Sequence, residues 1–183
     1  MKIIILLIFL LILIIILLLV FKCFKKDKFT KNILHNKLHA GVIVEPRNHM
    51  ALEDVIDNII INLDIPIIIF HGTENIKLVD NIIKKYPKTK FKKYNLNIKN
   101  LTKNDYNKLL LSTNFWYKSK IYGDKVLIFQ TDSGICNREL IEQVIDYDYC
   151  GAPWVRGEMK YLSGNGGFSL RNCMIMIKII NDI

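Results

Sequence analysis

The segment from residue 125 to residue 133 reads Lys-Val-Leu-Ile-Phe-Gln-Thr-Asp-Ser. Its first part, Lys125–Phe129, is a short apolar run with the length and composition of a buried strand, and a polar turn follows at once. Two other segments have the same form. Ala40–Val44 is followed by Glu-Pro-Arg, and 66–70 is followed by His-Gly-Thr-Glu-Asn. Buried strands that each end in a polar turn indicate an α/β sheet.

Apolar residues at helical spacing lie between and after these strands. Their positions are Leu52, Val55, Ile56, Ile59, Ile60 and Leu63; Val79, Ile82, Ile83 and Tyr86; Tyr106, Leu109 and Leu110; and Leu140, Ile141, Val144 and Ile145. The third helix is expected to begin with a capping box at Thr102 to Asp105. Strands that alternate with such helices predict a mostly parallel sheet covered on both faces. Because ligands bind beyond the carboxyl ends of the strands in these sheets, the polar turns are the candidate site.

The N-terminus carries a long apolar run. Ile3 to Phe21 are nineteen consecutive apolar residues, which in a helix reach about 28 Å, close to one hydrocarbon core. A cleavable signal peptide usually has a shorter apolar stretch, followed by small residues at the cleavage site. Here the run ends in Phe-Lys-Cys-Phe-Lys, so we expect an uncleaved single-span anchor over residues 1–21.

Positive charge is concentrated just after this run. The formal net charge is +9, and residues 22–37 contain six lysines and one aspartate. We expect residues 22–38 to be a basic juxtamembrane linker, either in contact with anionic lipid headgroups or simply solvated. A nucleic-acid-binding domain would spread its positive charge over a folded face. Nucleic acid is therefore not an expected partner, and residues 39–183 remain for one folded domain.

The turn after Lys125–Phe129 is the strongest candidate for chemistry. Asp132 follows a buried strand, where a carboxylate is held rigidly. Mn²⁺ or Mg²⁺ could use this carboxylate together with the oxygens of a diphosphate. The alternative is an Asx-turn, in which Asp132 only caps the following backbone. The residues alone leave both interpretations open.

Two later segments are weaker candidates. Residues 164–171 contain glycine at 164, 166 and 167, which either lets the backbone approach a ligand or makes an ordinary turn before a helix. Their spacing matches neither a phosphate-binding loop nor a dinucleotide fingerprint. Trp154 follows Gly-Ala-Pro and could stack on a sugar or fill the core.

Six segments occur in a characteristic order. They are residues 40–47, 70–75, 114–116, 129–133, 147–154 and 164–171. With these blocks the chain, from about Ala40 onward, resembles the domain-of-unknown-function 5672 family, whose members look like glycosyltransferases of the GT-A fold. The resemblance implies a Rossmann-like, GT-A-like domain that binds a nucleotide-sugar donor.

The resemblance also implies roles for individual residues. Gln130 and Asp132 correspond to the Asp-x-Asp motif of GT-A enzymes, with Asp132 as ligand of Mn²⁺ or Mg²⁺ and of the diphosphate. Glu45 and Arg47 fall where the nucleotide base and ribose are held. Gly166 and Gly167 would border the donor sugar, and Trp154 the acceptor side.

Relatives continue into an acidic segment after the last helix, whereas this sequence ends at Ile183 within that helix. Met174, Ile177 and Ile180 are expected to face inward from it. The expected function is a membrane-anchored, metal-dependent glycosyltransferase; the alternative is a truncated, non-catalytic domain that binds a nucleotide-sugar, a glycan or a protein partner.

Two arguments conflict about the side of the membrane on which the folded domain lies. Anchored glycosyltransferases usually hold their domain in the lumen, whereas the lysines after the run favour a cytosolic domain. We expect the cytosolic side. The sequon at Asn100, with Leu101 and Thr102 after it, would report a lumenal domain by becoming glycosylated.

Overall fold

The computed structural model describes residues 12–16, 37–153 and 164–183. Ile12–Ile16 are helical and exposed. Most of the expected anchor (Ile3 to Phe21), most of the lysine run, and Trp154 lie outside the described residues, so these predictions stay predictions. Among the helices that are described, none has both the length and the apolar character that crossing a membrane requires.

A six-stranded mixed sheet forms the centre of the folded part. The strands are β1 (Ala40–Glu45), β2 (Ile67–His71), β3 (Phe91–Asn95), β4 (Lys125–Phe129), β5 (Tyr149–Pro153) and β6 (Gly164–Asn172). Their order across the sheet is β3-β2-β1-β4-β6-β5. The pairings of β1 with β2 and β4, and of β2 with β3, are parallel, while β6 runs antiparallel to β4 and β5. The predicted α/β class and mostly parallel sheet are confirmed.

Six helices follow from Leu52 onward in the described residues. They are α1 (Leu52–Leu63), α2 (Ile76–Lys85), α3 (Lys103–Leu110), α4 (Thr113–Ser119), α5 (Arg138–Val144) and α6 (Cys173–Asn181). The predicted cap of α3 is confirmed, because the Thr102 side chain accepts a hydrogen bond from the backbone N–H of Asp105. Strands β3 and β5 and helix α4 are additions to the elements that the apolar pattern indicates.

The apolar side chains form one core on each face of the sheet. Alternate residues of a strand point to opposite faces, and β4 shows this directly: Leu127 and Phe129 belong to one core, Val126 and Ile128 to the other. Helices α1, α2 and α5 cover the first face, and α3, α4 and α6 cover the second. Because the strands of the parallel part are buried on both faces, their sequences are continuous apolar runs.

Three local expectations are corrected by the structure. The glycine-rich block is strand β6 rather than a turn. Leu140 is exposed on α5, because Ile141 and Ile145 fill the place against the core. Met174 is also exposed on α6, where Ile177 is buried and Met176 and Ile180 are partly buried.

Candidate functional site

A cavity of about 460 Å³ opens beyond the carboxyl ends of β1 and β4. Its lining comes from three segments: Val44 to Arg47 with His49, Asn100 to Lys103 with Tyr106, and Gln130 to Asp132. The chain proceeds from β1 through β2 to β3 in one direction and then returns to the other side of β1 with β4. This reversal is the topological switch point, the place where open α/β sheets bind their ligands.

The structure brings most of the predicted site residues together at this cavity. Glu45, Arg47, Gln130 and Asp132 all contribute to its lining. Gly166 and Gly167 lie on β6, the neighbour of β4, and are not among the lining residues. Tyr106 also lines the cavity, although its spacing with Leu109 and Leu110 on α3 indicated only a core position.

Glu45 and Arg47 form an ion pair at the end of β1. The Glu45 side chain is buried, and Arg47 donates to it from Nε (2.9 Å), Nη2 (2.8 Å) and the backbone N–H (3.0 Å). Burial acts to raise the pKa of Glu45, but the hydrogen bonds and charge of Arg47, with a contribution from His49, hold that pKa below its usual value. Glu45 therefore orients the half-exposed Arg47 guanidinium at the cavity.

Replacing Arg47 by methionine should destabilise the protein most at neutral pH. In the native protein the pKa of Glu45 is lower than its value in the unfolded chain, about 4.3. This difference stabilises the folded protein at pH values above the unfolded pKa, and the stabilisation is lost as the pH falls through the folded pKa. Without Arg47, burial raises the pKa of Glu45 in the folded protein above its unfolded value. Protonation of Glu45 at lower pH then removes the cost of the buried negative charge. We expect a loss of about 1–2 kcal/mol at pH 7, limited by the exposure of Arg47, and a smaller loss at pH 5.

Urea unfolding at both pH values measures this difference. In the background of Glu45→Gln, Arg47→Met should have little effect at either pH, because no buried carboxylate is left to compensate. An equal loss at pH 5 and pH 7 in the otherwise native protein would contradict the assignment.

Asn75 joins the ends of β1 and β2 beside the cavity. It is fully buried, donates from Nδ2 to the Glu45 carbonyl (2.7 Å) and accepts from the Gly72 N–H at Oδ1 (2.9 Å). A side chain at Gly72 would collide with the backbone carbonyls of Pro46 and Ile98. The polar turn after β2 therefore holds the cavity wall in place through the Asn75 side chain and the close backbone approach at Gly72.

The turn after β4 presents Asp132 at the mouth of the cavity. Ser133 closes this turn: its Oγ accepts from the Gln130 N–H (2.9 Å) and donates to the Gln130 carbonyl (2.7 Å). Asp132 is exposed, and its carboxylate has no hydrogen-bond or ion-pair partner among the described residues. Asp132 therefore does not make the Asx-turn, and the side-chain hydrogen bonds of this turn come from Ser133.

The described residues contain no cluster of three or more histidine, cysteine, aspartate or glutamate side chains that could hold a metal ion. Glu45 is engaged by Arg47, which leaves Asp132 as the available carboxylate of the lining. Mg²⁺ commonly binds through one or two carboxylates, with waters and substrate phosphates as its other ligands. Asp132 is thus the described lining residue that could serve as the protein's ligand in such a site.

Comparison with known proteins identifies one family. Residues 88–183 match the family described as "Protein of unknown function (DUF5672)". The matched part runs from just before β3 to the end of the sequence, and it contains Tyr106, the turn with Asp132 and strand β6. No curated protein matches the chain.

Proposed function

Because the chain belongs to the DUF5672 family, we propose that it is a metal-dependent glycosyltransferase-like protein with a GT-A-like fold. Its substrate would be a nucleotide-sugar, from which a sugar passes to an acceptor hydroxyl. The observation that carries this proposal is the cavity at the switch point between β1 and β4, which both Arg47 and Asp132 line. This is where a Rossmann-like sheet binds the phosphates of a nucleotide.

The lining residues support different roles for Arg47 and Asp132 in ligand binding. Glu45 holds the Arg47 guanidinium, which offers a fixed cation and planar donors to a nucleotide. Asp132 has the other role, because its free carboxylate can share a Mn²⁺ or Mg²⁺ ion with a diphosphate. When bound, that ion would offset the charge that develops on the leaving diphosphate.

A membrane location belongs to the same proposal. We propose that Ile3 to Phe21 anchor the protein by a single span, with the lysine run near anionic headgroups and the folded domain in the cytosol. The position of Asn100 supports the cytosolic side, because Asn100 lines the cavity and a glycan attached there would cover its opening.

A non-catalytic binding domain is the second candidate. It is favoured by the pairing of Glu45 with Arg47, which leaves Asp132 as the free carboxylate among the described lining residues. If Asp132 binds the metal, the described part of the lining offers no second free carboxylate as a general base for an acceptor hydroxyl. Such a domain would bind the nucleotide-sugar, a glycan or a protein partner without turnover.

Asp132→Ala should abolish Mn²⁺-dependent binding of a nucleoside diphosphate by the full chain in detergent. Asp132 is exposed and has no partner among the described residues, so the melting temperature should stay unchanged. Titration calorimetry with UDP and GDP, with Mn²⁺ or with EDTA, measures the effect, and release of the sugar from nucleotide-sugars distinguishes the enzyme from the binding domain.

Asp54→Ala is the matched control, because Asp54 is an exposed carboxylate in the first turn of α1, outside the cavity. It should bind like the native protein. The same affinity in the native protein and in Asp132→Ala, with and without Mn²⁺, would rule out Asp132 as a metal ligand.

A further inference from the structure

Arg171 on β6 is a buried cation. Only 8% of the residue is exposed. Its guanidinium lies 5.1 Å from the centre of the Tyr149 ring and 5.6 Å from that of Trp116, and its Nε donates to the Ser169 hydroxyl (3.0 Å). Arg171 is opposite Val126 of β4 and therefore belongs to the face of the sheet that α3 and α4 cover.

No carboxylate among the described residues pairs with this guanidinium. Burying a charge without an opposite charge is costly, and removal from water lowers the pKa of Arg171. The two aromatic rings offset part of this cost through cation–π contacts. They do not occupy the in-plane N–H groups, which are the groups that bind carboxylate or phosphate oxygens.

Tyr106 supplies a second unpaired donor at the same place. Its hydroxyl is buried beside the Gln130 side chain, and no described residue accepts the hydroxyl proton. Burial raises the pKa of Tyr106, and the nearby Gln130 side chain and Arg171 charge oppose that rise. Tyr106 and Gln130 both line the cavity. Arg171 is not a lining residue, but its charge acts on Tyr106, so it lies close to this part of the lining.

Gly166 shows that the guanidinium approaches the backbone closely. A Cβ atom built on Gly166 would lie 2.8 Å from Arg171 Nη2, closer than a carbon and a nitrogen atom can pack. Ser169, which holds the Nε of Arg171, also donates to the Gly166 carbonyl (3.1 Å). The missing side chain at residue 166 therefore leaves room for the guanidinium at this end of β6.

We propose that Arg171 and Tyr106 form an anion subsite at the inner end of the cavity, which binds a phosphate group. Arg171 contributes the charge and paired N–H donors, and Tyr106 contributes its hydroxyl. An oxyanion there satisfies both groups at once. Its identification as the diphosphate of a nucleotide-sugar rests on the proposed function, whereas the binding of a phosphate-class anion does not.

Titration calorimetry of the full chain in detergent with inorganic pyrophosphate tests this subsite. EDTA is present throughout, so that no metal at Asp132 takes part. The native protein should bind pyrophosphate, and Arg171→Met should weaken binding at least tenfold. Tyr106→Phe, which removes one oxygen, should weaken it severalfold. Uridine, which lacks phosphate, should show no dependence on Arg171.

Lys84→Met is the matched control, because it removes one positive charge from an exposed position on α2. Its affinity for pyrophosphate should equal that of the native protein. If Arg171→Met does not fold, Arg171→Lys and Tyr106→Phe decide the question, since each keeps most of the side-chain volume. Absence of pyrophosphate binding by the native protein, or native affinity in the folded variants, overturns the proposal.

The outcomes separate this inference from the proposed function. One outcome is that pyrophosphate binds in a way that depends on Arg171 while no nucleotide-sugar binds. This outcome supports the anion subsite and contradicts the proposal that a nucleotide-sugar is the donor. Binding of a nucleotide-sugar that is unchanged in Arg171→Met and in Tyr106→Phe supports the donor site and contradicts the subsite.

Discussion

Replacement of Gly72 by alanine should lower the free energy of unfolding by roughly 3 kcal/mol, the upper part of the range for inserting atoms into a filled space. The new Cβ would collide with the backbone carbonyls of Pro46 and Ile98. Neither can yield easily, because Pro46 follows β1 directly and the Ile98 carbonyl accepts the N–H of Thr73 (2.9 Å). Moving them would also distort the cavity wall, so ligand affinity should fall together with stability.

Gly134→Ala is the control for this prediction. A Cβ there would meet the side chain of Asn58 at 3.5 Å or more, which is ordinary van der Waals contact. Thermal and urea unfolding of the two variants should differ clearly, with Gly134→Ala close to the native protein. A Gly72→Ala protein of native stability would show that the turn after β2 can relax.

Asn75→Ala should destabilise the protein by about 2–4 kcal/mol. The substitution leaves the Gly72 N–H and the Glu45 carbonyl without their partner in a fully buried place, and each unsatisfied group costs about 1–3 kcal/mol. Because Asn75 ties β1 to the turn after β2, Glu45 and Arg47 should lose their fixed position, and nucleotide binding should weaken. Denaturant unfolding and calorimetry measure the two effects.

Asn107→Ala provides the comparison, since Asn107 is exposed on α3 and is not among the residues that line the cavity. It should change stability by less than about 0.5 kcal/mol. Equal stability of the Asn75 and Asn107 variants would mean that water replaces the two hydrogen bonds of Asn75.

Some elements were readable from the sequence for a simple physical reason. Strands β1, β2 and β4 lie in the middle of the sheet and are covered on both faces, so their sequences are apolar throughout. The cap at Thr102 was readable because it depends only on residues three positions apart.

Other elements carry no such local signal. Strand β3 has the sequence Phe-Lys-Lys-Tyr-Asn and is an edge strand, where charged residues are tolerated and burial is incomplete. Strand β6 contains glycines at 164, 166 and 167, which are unfavourable in isolated strands. It forms because β4 and β5 pair with it on both sides.

The features of the candidate site also fall into two groups: those that local sequence predicts and those that depend on long-range contacts. The sequence by itself determined that polar residues follow each buried strand, and parallel strands must place such residues at one edge of the sheet. Only the tertiary structure decided that Glu45 is engaged by Arg47, that Asn75 braces the cavity wall, and that Arg171 lies close enough to Tyr106 for its charge to act on the hydroxyl. These last two residues are far apart in the chain, and their approach depends on the antiparallel pairing of β6 with β4 and the packing of α3 on that face. No local pattern encodes such proximity, because it exists only once the core between the two elements has formed.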